Sequence, residues 1–262
     1  MAAGLVVAAL VASSPALAHR SFLVPSSTVV SGPGQWVTVD AARGNDLFQF
    51  NHNAMPIEGL VISAPDGQRV APVRVERFRY RSVLDVELVR AGTWRIAVVD
   101  EGLRANWEQD GKPRRWTGSR AGFATAVPAK ADKLAVSDIQ SRVEVFVTAG
   151  QPTPIQPTGR GLEVEYSPHP NDLVAGQTMT LRFLVDGKSA PKLAVKVIPG
   201  GARYRDAVGE IDLQTDADGR TTLTWPAAGL YWLQAAIRYD QAEAPATRRL
   251  VSYAATLEVL PD

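Results

Sequence analysis

Cysteine is absent from this 262-residue chain. Without it there is no disulfide framework, no thiolate nucleophile and no thiolate-bound zinc or iron–sulfur centre, so any metal site must use nitrogen and oxygen ligands. An excess of either charge is missing as well: 28 Lys+Arg stand against 27 Asp+Glu, a formal net charge of +1. A chain with no surplus of cations gains little by releasing counterions from a phosphate backbone, which argues against nucleic acid as a partner. Imidazole is scarce, with three histidines in all, at 19, 52 and 169. None of them stands in a Ser/His/Asp context, and neither a Gly-x-Ser-x-Gly elbow nor a phosphate-binding Gly-rich loop occurs, so the chain reads as a non-enzyme.

What the chain does have is an ordinary globular composition, 45% hydrophobic with 21 Gly and 18 Pro, enough to bury a sizeable core. Its one uncharged apolar run, Gly4 to Ala12, is too short to cross a bilayer and leads through Ser13-Ser14-Pro15 to Ala16-Leu17-Ala18. That is the h-region and A-x-A site of a secretory signal peptide. The basic residue expected before the apolar run is missing, which points to a start codon upstream of Met1. Cleavage after Ala18 gives a mature chain beginning at His19. No other run approaches the ~20 apolar residues of a transmembrane helix, so the mature protein is expected not to span a membrane and, in a Gram-negative cell, to be periplasmic.

Beyond residue 18 the dominant pattern is period-2 alternation broken by turn signals, with almost nothing at helical spacing. Strands are expected at Trp36–Asp40, Leu60–Ser63, Ser82–Leu88, Thr93–Asp100 and Ser141–Thr148, with a hairpin turning at Asp110-Gly111 between Trp107 and Trp116. Residues 121–138 carry no period and are expected to wander over the surface. Three prolines fall within residues 151–159, a composition typical of a linker. Seven further strands are expected beyond it, from Leu162–Tyr166 to Leu250–Leu260, and Asp216-Ala217-Asp218-Gly219 reads as a hairpin turn because the remaining ligands of a calcium loop are missing. The expected fold is all-β, two tandem immunoglobulin-like β-sandwich domains after a cleaved signal peptide: residues 1–18 the signal, 19–148 the first domain, 149–160 the Pro-rich linker and 161–262 the second domain.

Two stretches carry a family resemblance. One is the Ala-His junction followed by Phe22-Leu23-Val24-Pro25-Ser26. The other is Thr215-Asp216-Ala217-Asp218-Gly219-Arg220 leading to Ala228-Gly229-Leu230-Tyr231-Trp232-Leu233, together with Gly161-Leu162-Glu163 and the Asn171-Asp172-Leu173 turn. The mature chain resembles, over nearly its whole length, a family of exported domains of unknown function associated with nickel and cobalt uptake in the periplasm. The resemblance implies a metal-handling protein with an N-terminal His ligand. The chain departs from the family at Asn51-His52-Asn53, where members carry Gly-His.

The residue chemistry points the same way. With cleavage after Ala18, the free α-amino group and the imidazole of His19 close a chelate ring on one ion, and a second imidazole supplies a third nitrogen. Such a set suits Cu(II) or Ni(II), admits Co(II) and Zn(II), and does not suit Mg(II) or Ca(II). His52, in a polar loop with Asn51 and Asn53, is the candidate second ligand, set against a plain solvated loop residue. His169, stiffened between Pro168 and Pro170, is a third candidate, set against a turn residue that joins the site only if the two halves fold back on each other. Met55 is available as a soft ligand or as core packing, and Asp46 lies near the site in sequence. The basic residues Lys112, Arg114, Arg115 and Arg120 around Trp107 and Trp116, and the Arg203-Tyr204-Arg205-Asp206 stretch, read as solvated surface.

The leading expectation is therefore a periplasmic binding protein for a divalent transition metal (nickel, cobalt or copper), with an envelope metal transporter as its partner. Two alternatives stand beside it. One is a metal-independent structural or interaction module of the envelope. The other is a copper-dependent oxidative enzyme of the kind that attacks polysaccharides, disfavoured because such enzymes usually bear disulfides and a flat aromatic face.

Overall fold

A computed structural model describes residues 19–262, so the signal-peptide segment lies outside the described residues. The first half supplies β1 (Arg20–Pro25), β2 (Val29–Val30), β3 (Gln35–Gly44), β4 (Asn53–Ala54), β5 (Leu60–Ser63), β6 (Arg69–Val70), β7 (Arg74–Arg77), β8 (Ser82–Leu88), β9 (Gly92–Gln109), β10 (Lys112–Gly118), the helix α1 (Arg120–Ala126) and β11 (Asp132–Ala149). The second supplies β12 (Leu162–Ser167), β13 (Leu173–Val174), β14 (Thr178–Val185), β15 (Lys188–Ser189), β16 (Ala194–Pro199), β17 (Ile211–Gln214), β18 (Arg220–Thr224), β19 (Gly229–Tyr239) and β20 (Arg248–Leu260). The protein is all-β, built as packed open sheets.

One long sheet runs through both halves. Its 11 strands include the path β17-β16-β19-β20-β11-β9-β5-β6, and it is joined across the middle by parallel pairing of β11 with β20, Ser137↔Arg248 through Val145↔Thr256. Parallel strands cannot be closed by a tight turn, so this contact is made only when distant parts of the chain fold together. A 5-stranded sheet (β1-β3-β8-β7, with β4 on β3) and a 4-stranded sheet (β12-β14-β15, with β18 on β14) cover it.

The two covering sheets lie on opposite faces, and the alternation of side chains along the shared strands shows why. On β20, Val251, Tyr253, Ala255 and Leu257 enter a core with Leu181, Phe183 and Trp225 of the second half. Ala254, which points the other way, enters a core with Phe22, Val39 and Leu84 of the first half, as do Trp232 of β19 and Ile198 of β16. A strand buried on both faces needs apolar residues at consecutive positions, and Tyr253-Ala254-Ala255 meets that need.

Charge is also buried at the middle of the long sheet. Glu144 of β11 is nearly inaccessible, with its Oε2 3.5 Å from Arg95 Nε and 3.6 Å from Arg142 Nη1. Tyr253 donates to Glu144 Oε1 at 2.6 Å and its hydroxyl lies 2.6 Å from that of Tyr166. Burial first, and then the Glu144 charge, holds both phenols well above the usual tyrosine range, so they stay protonated. Glu163, equally buried, accepts from Thr158 N at 2.8 Å, Thr158 Oγ1 at 2.7 Å and Gly159 N at 2.7 Å, seating the Pro-rich segment against β12.

Two local expectations need correction. Residues 121–138 do not wander: Ser119 caps α1 by accepting from Gly122 N at 3.3 Å, and β11 begins at Asp132. Phe123 of that helix packs with Trp107 and Trp116 in a small third core, which places both tryptophans inward and leaves Lys112, Arg114 and Arg115 exposed. The Asp216–Gly219 turn is not a hairpin, because the strands on either side belong to different sheets, β17 pairing with β16 and β18 with β14. Asp216 Oδ1 accepts from the Asp218 and Arg220 amides, which fixes the crossing. The Asp110-Gly111 hairpin is present, with both residues at positive φ (53° and 70°) as a tight two-residue turn requires.

Candidate functional site

The end of β3 organises the two histidines nearest the N-terminus. On one side it pairs with β1, Arg20 opposite Gly44, and on the other with β4, Asn53 opposite Arg43. His19 and His52 therefore precede neighbouring strands on either side of the same short stretch, and with strands about 4.8 Å apart their side chains reach each other across it. The rings stack with centroids 3.4 Å apart and planes 21° from parallel. His19 Nδ1 lies 3.0 Å from Asn45 Oδ1, and His52 Nε2 lies 2.9 Å from Asn53 Nδ2.

Gly44 is what lets the loop close beneath this pair. A Cβ there would sit 2.5 Å from the Asp46 carbonyl oxygen and 2.6 Å from that of Gln49, too close for any side chain. Asn51 ties the same loop by accepting from Asn45 N at 2.9 Å and donating to Asp46 Oδ2 at 3.2 Å. Asp46 is thus used to hold the loop. Met55 is buried at 2% exposure among the residues of the first core, in the packing role.

The structure does not bring His169 to this pair. Its Nδ1 accepts from the Asn171 amide at 3.1 Å, which leaves the proton of the neutral ring on Nε2, 3.0 Å from Thr93 Oγ1. Burial lowers its pKa, opposed by Asp172 and a Thr153 backbone contact. Thr93 pairs with Thr148 on β11, whereas the cleft that His19 lines meets that strand at Ser141, Arg142 and Val143, so about 20 Å of strand separates the two places at about 3.3 Å per residue.

Beside His19 a cleft of about 600 Å³ opens onto the long sheet. Its floor is a row across four strands, Val143 of β11, Ala254 of β20, Gln234 of β19 and Lys196 of β16, with Ser141 opposite Ser252 in the next row. The cleft exists because the covering sheet stops at β1: Trp232 donates its indole N–H to the Ser21 carbonyl at 3.0 Å, and among the described residues no strand of that sheet extends over those rows beyond Arg20. Two cationic side chains line it, Arg20 and Lys196, against one carboxylate, Glu210, which lies 3.5 Å from Arg20 and 2.7 Å from Lys196, whereas the guanidinium of Arg142 is turned to the opposite face, on Glu144 and Glu163. Glu210, and then Asp212, raise the pKa of Lys196. Sequence reading missed this cleft because its residues are ordinary outward members of β-strands; the polar positions at 196, 234 and 252, within otherwise apolar runs, are the signal that marks it.

Among the described residues no group of three or more His, Asp or Glu side chains gathers in a metal-binding cluster. What the fold does bring together there is the pair of stacked imidazoles of His19 and His52.

No curated protein matches the chain. Solved structures that it resembles include the human OSCAR ligand-binding domain (16% identity, 92% of this chain and 98% of that one, TM-score 0.21), Escherichia coli alpha-2-macroglobulin activated by porcine elastase (13%, 94% and 20%, 0.25) and chicken CNTN1 FN1-FN3 domains (10%, 91% and 97%, 0.22). At such TM-scores the likeness adds nothing to the fold read from the strand pairing. The family comparison is different in kind, because one model spans residues 16–239, with His19, His52 and the cleft residues up to Gln234 but not Ser252, Tyr253 or Ala254, and the chain belongs to that family, a domain of unknown function (DUF4198).

Proposed function

We propose that the mature protein is a periplasmic binding protein for one divalent transition-metal ion, nickel, cobalt or copper, serving uptake or homeostasis of that metal. The observation that carries this reading is the meeting of His19 and His52, whose rings lie 3.4 Å apart although 33 positions separate them in sequence. The donor chemistry fits: two imidazoles are borderline ligands that suit these metals, and cleavage after Ala18 adds an α-amino group on the residue that already holds one of them. Because His19 supplies two donors, only one further side chain has to be ordered. His169 stays outside the proposed set, since both its ring nitrogens are engaged at Asn171 and Thr93. A bound ion would be held by His19 and His52, with His19 Nδ1 exchanging its Asn45 contact for the ion and Asn53 on His52 Nε2 leaving Nδ1 as that ring's donor, and the protein's part would be capture and release rather than reaction.

The test is calorimetric titration of Ni(II) and Cu(II) into protein starting at His19 and into the same protein with one Gly added before His19. Binding of one ion per chain to the first form, weakened at least about tenfold by the added Gly, supports the reading. Equal affinity in the two forms, or a His52→Ala protein that binds as well as the parent, overturns the N-terminal site.

A further inference from the structure

The metal reading leaves the neighbouring cleft without a use. An ion held by an amine and two imidazoles needs no space of about 600 Å³, yet that is the size of a site for a small organic molecule, and His19 is one of its walls. We propose that the cleft binds a small carboxylate-bearing chelator with a planar apolar body, and that the His19–His52 pair receives its metal as that chelate; the second half of this inference rests on the metal reading above.

Four features set the ligand's chemistry. Val143, Ala254 and the edge of Trp232 form an apolar surface at the bottom, which an inorganic anion would leave unfilled and a flat organic body would cover. Arg20 and Lys196 stand at the side and share Glu210, while Asp212, the second partner of Lys196, is largely exposed outside the lining, so one cation of the pair is left without a carboxylate in the cleft. Cations on one side of an apolar floor suit an acid whose carboxylate lies at one end. Ser141, Ser252 and Gln234 add uncharged polar groups within the same rows, able to orient a heteroatom without a charge of their own. Finally, the donor set proposed for the pair is three nitrogens, fewer than Ni(II) or Cu(II) takes, so a chelator seated against His19 supplies what the protein lacks.

Pyridine-2-carboxylate is a suitable probe, being planar, anionic and a bidentate N,O ligand. Protein starting at His19 is titrated with Ni(II) alone, with the probe alone and with the preformed 1:1 Ni(II) complex. The complex is expected to bind at least about tenfold more tightly than Ni(II) alone, a ratio that Arg20→Gln with Lys196→Gln brings close to one. A complex that binds no more tightly than Ni(II) overturns the inference while the metal reading stands. If neither form of nickel binds but the probe still does, and does so less well in the double variant, the metal reading and the chelate half fail together and the cleft half is upheld. Displacement of the probe by inorganic phosphate at equal concentration overturns the choice of an organic body, since only charge would then be recognised.

Discussion

The two faces of the long sheet are made by the same strands and have opposite fates. On the face covered by the β12-β14-β18 sheet, Val195, Val197, Leu233, Ala235, Val251, Tyr253 and Ala255 are at most 2% exposed. On the other face their immediate neighbours Lys196, Gln234 and Ser252 are only half-buried, because the sheet that covers the first half reaches over Ile198, Trp232 and Ala254 and then ends at β1. A period of two lets one strand serve a closed core and an open cleft at successive residues. The closed face is where stability should be concentrated, and the open face and its rim are where binding should be.

The sharpest test of that division is Phe183→Ala. Phe183 is fully buried in the closed core, so its removal should destabilise the protein by about 3–5 kcal/mol in chemical denaturation, with the midpoint falling and metal affinity of the folded fraction unchanged. A loss below about 1 kcal/mol would mean that the closed face is loosely packed and the comparison is wrong.

Glu163→Ala should come next, at about 2–3 kcal/mol, because it strands the Thr158 and Gly159 amides and leaves the buried Arg142 short of a partner. Its signature is local as well as global: proteolysis within residues 150–160 should accelerate more than the loss of stability alone explains. Unchanged cleavage there would show that the segment is seated by something other than this carboxylate.

How much of this was legible beforehand depends on how local each feature is. The all-β class follows from alternation within single segments such as 178–185 and 229–239, and the hairpin at Asp110-Gly111 from a two-residue signal. Helix α1 was missed because seven residues, Arg-Ala-Gly-Phe-Ala-Thr-Ala, hold one large apolar side chain and so show no period. The crossing at Asp216–Gly219 was misread because turn chemistry is the same whether the next strand returns to its sheet or leaves for another. The parallel contact of β11 with β20 joins residues more than a hundred positions apart, and nothing in either strand names its partner. Chemistry alone nominated His19 and His52, but their meeting depends on β1 and β4 both pairing with the end of β3, and the cleft beside them on the contact of β11 with β20.

On the open side, Gly44→Ala should separate positioning from packing. The added Cβ forces the loop carbonyls of Asp46 and Gln49 apart, an overpacking cost of about 1–3 kcal/mol, and shifts the segment that carries His52. Calorimetry should show weaker Ni(II) binding than the stability loss implies. Full affinity would mean that His52 does not need the geometry of this loop.

The smallest effect expected is a pH dependence at His169, and its sign follows from where the proton goes. In the folded protein the ring is half-buried, with Nδ1 accepting from Asn171 N and Nε2 against Thr93 Oγ1, and burial depresses its pKa against the weaker pull of Asp172 and the Thr153 backbone. The unfolded chain, with an ordinary imidazole pKa of about 6.5, therefore takes up the proton first as pH falls. Stability is fully present above that value, declines as pH drops through it and levels off below the folded-state pKa, where both states are protonated. Denaturation midpoints measured between pH 7.5 and 5 should show this decline, and His169→Gln, which keeps a donor and an acceptor without a proton to gain, should flatten it. The same substitution should leave Ni(II) affinity untouched, since His169 is held at Thr93, about 20 Å along β11 from the stretch that lines the cleft with His19. If it weakened nickel binding instead, the division between a closed, stabilising region and an open, binding one would have to be drawn elsewhere.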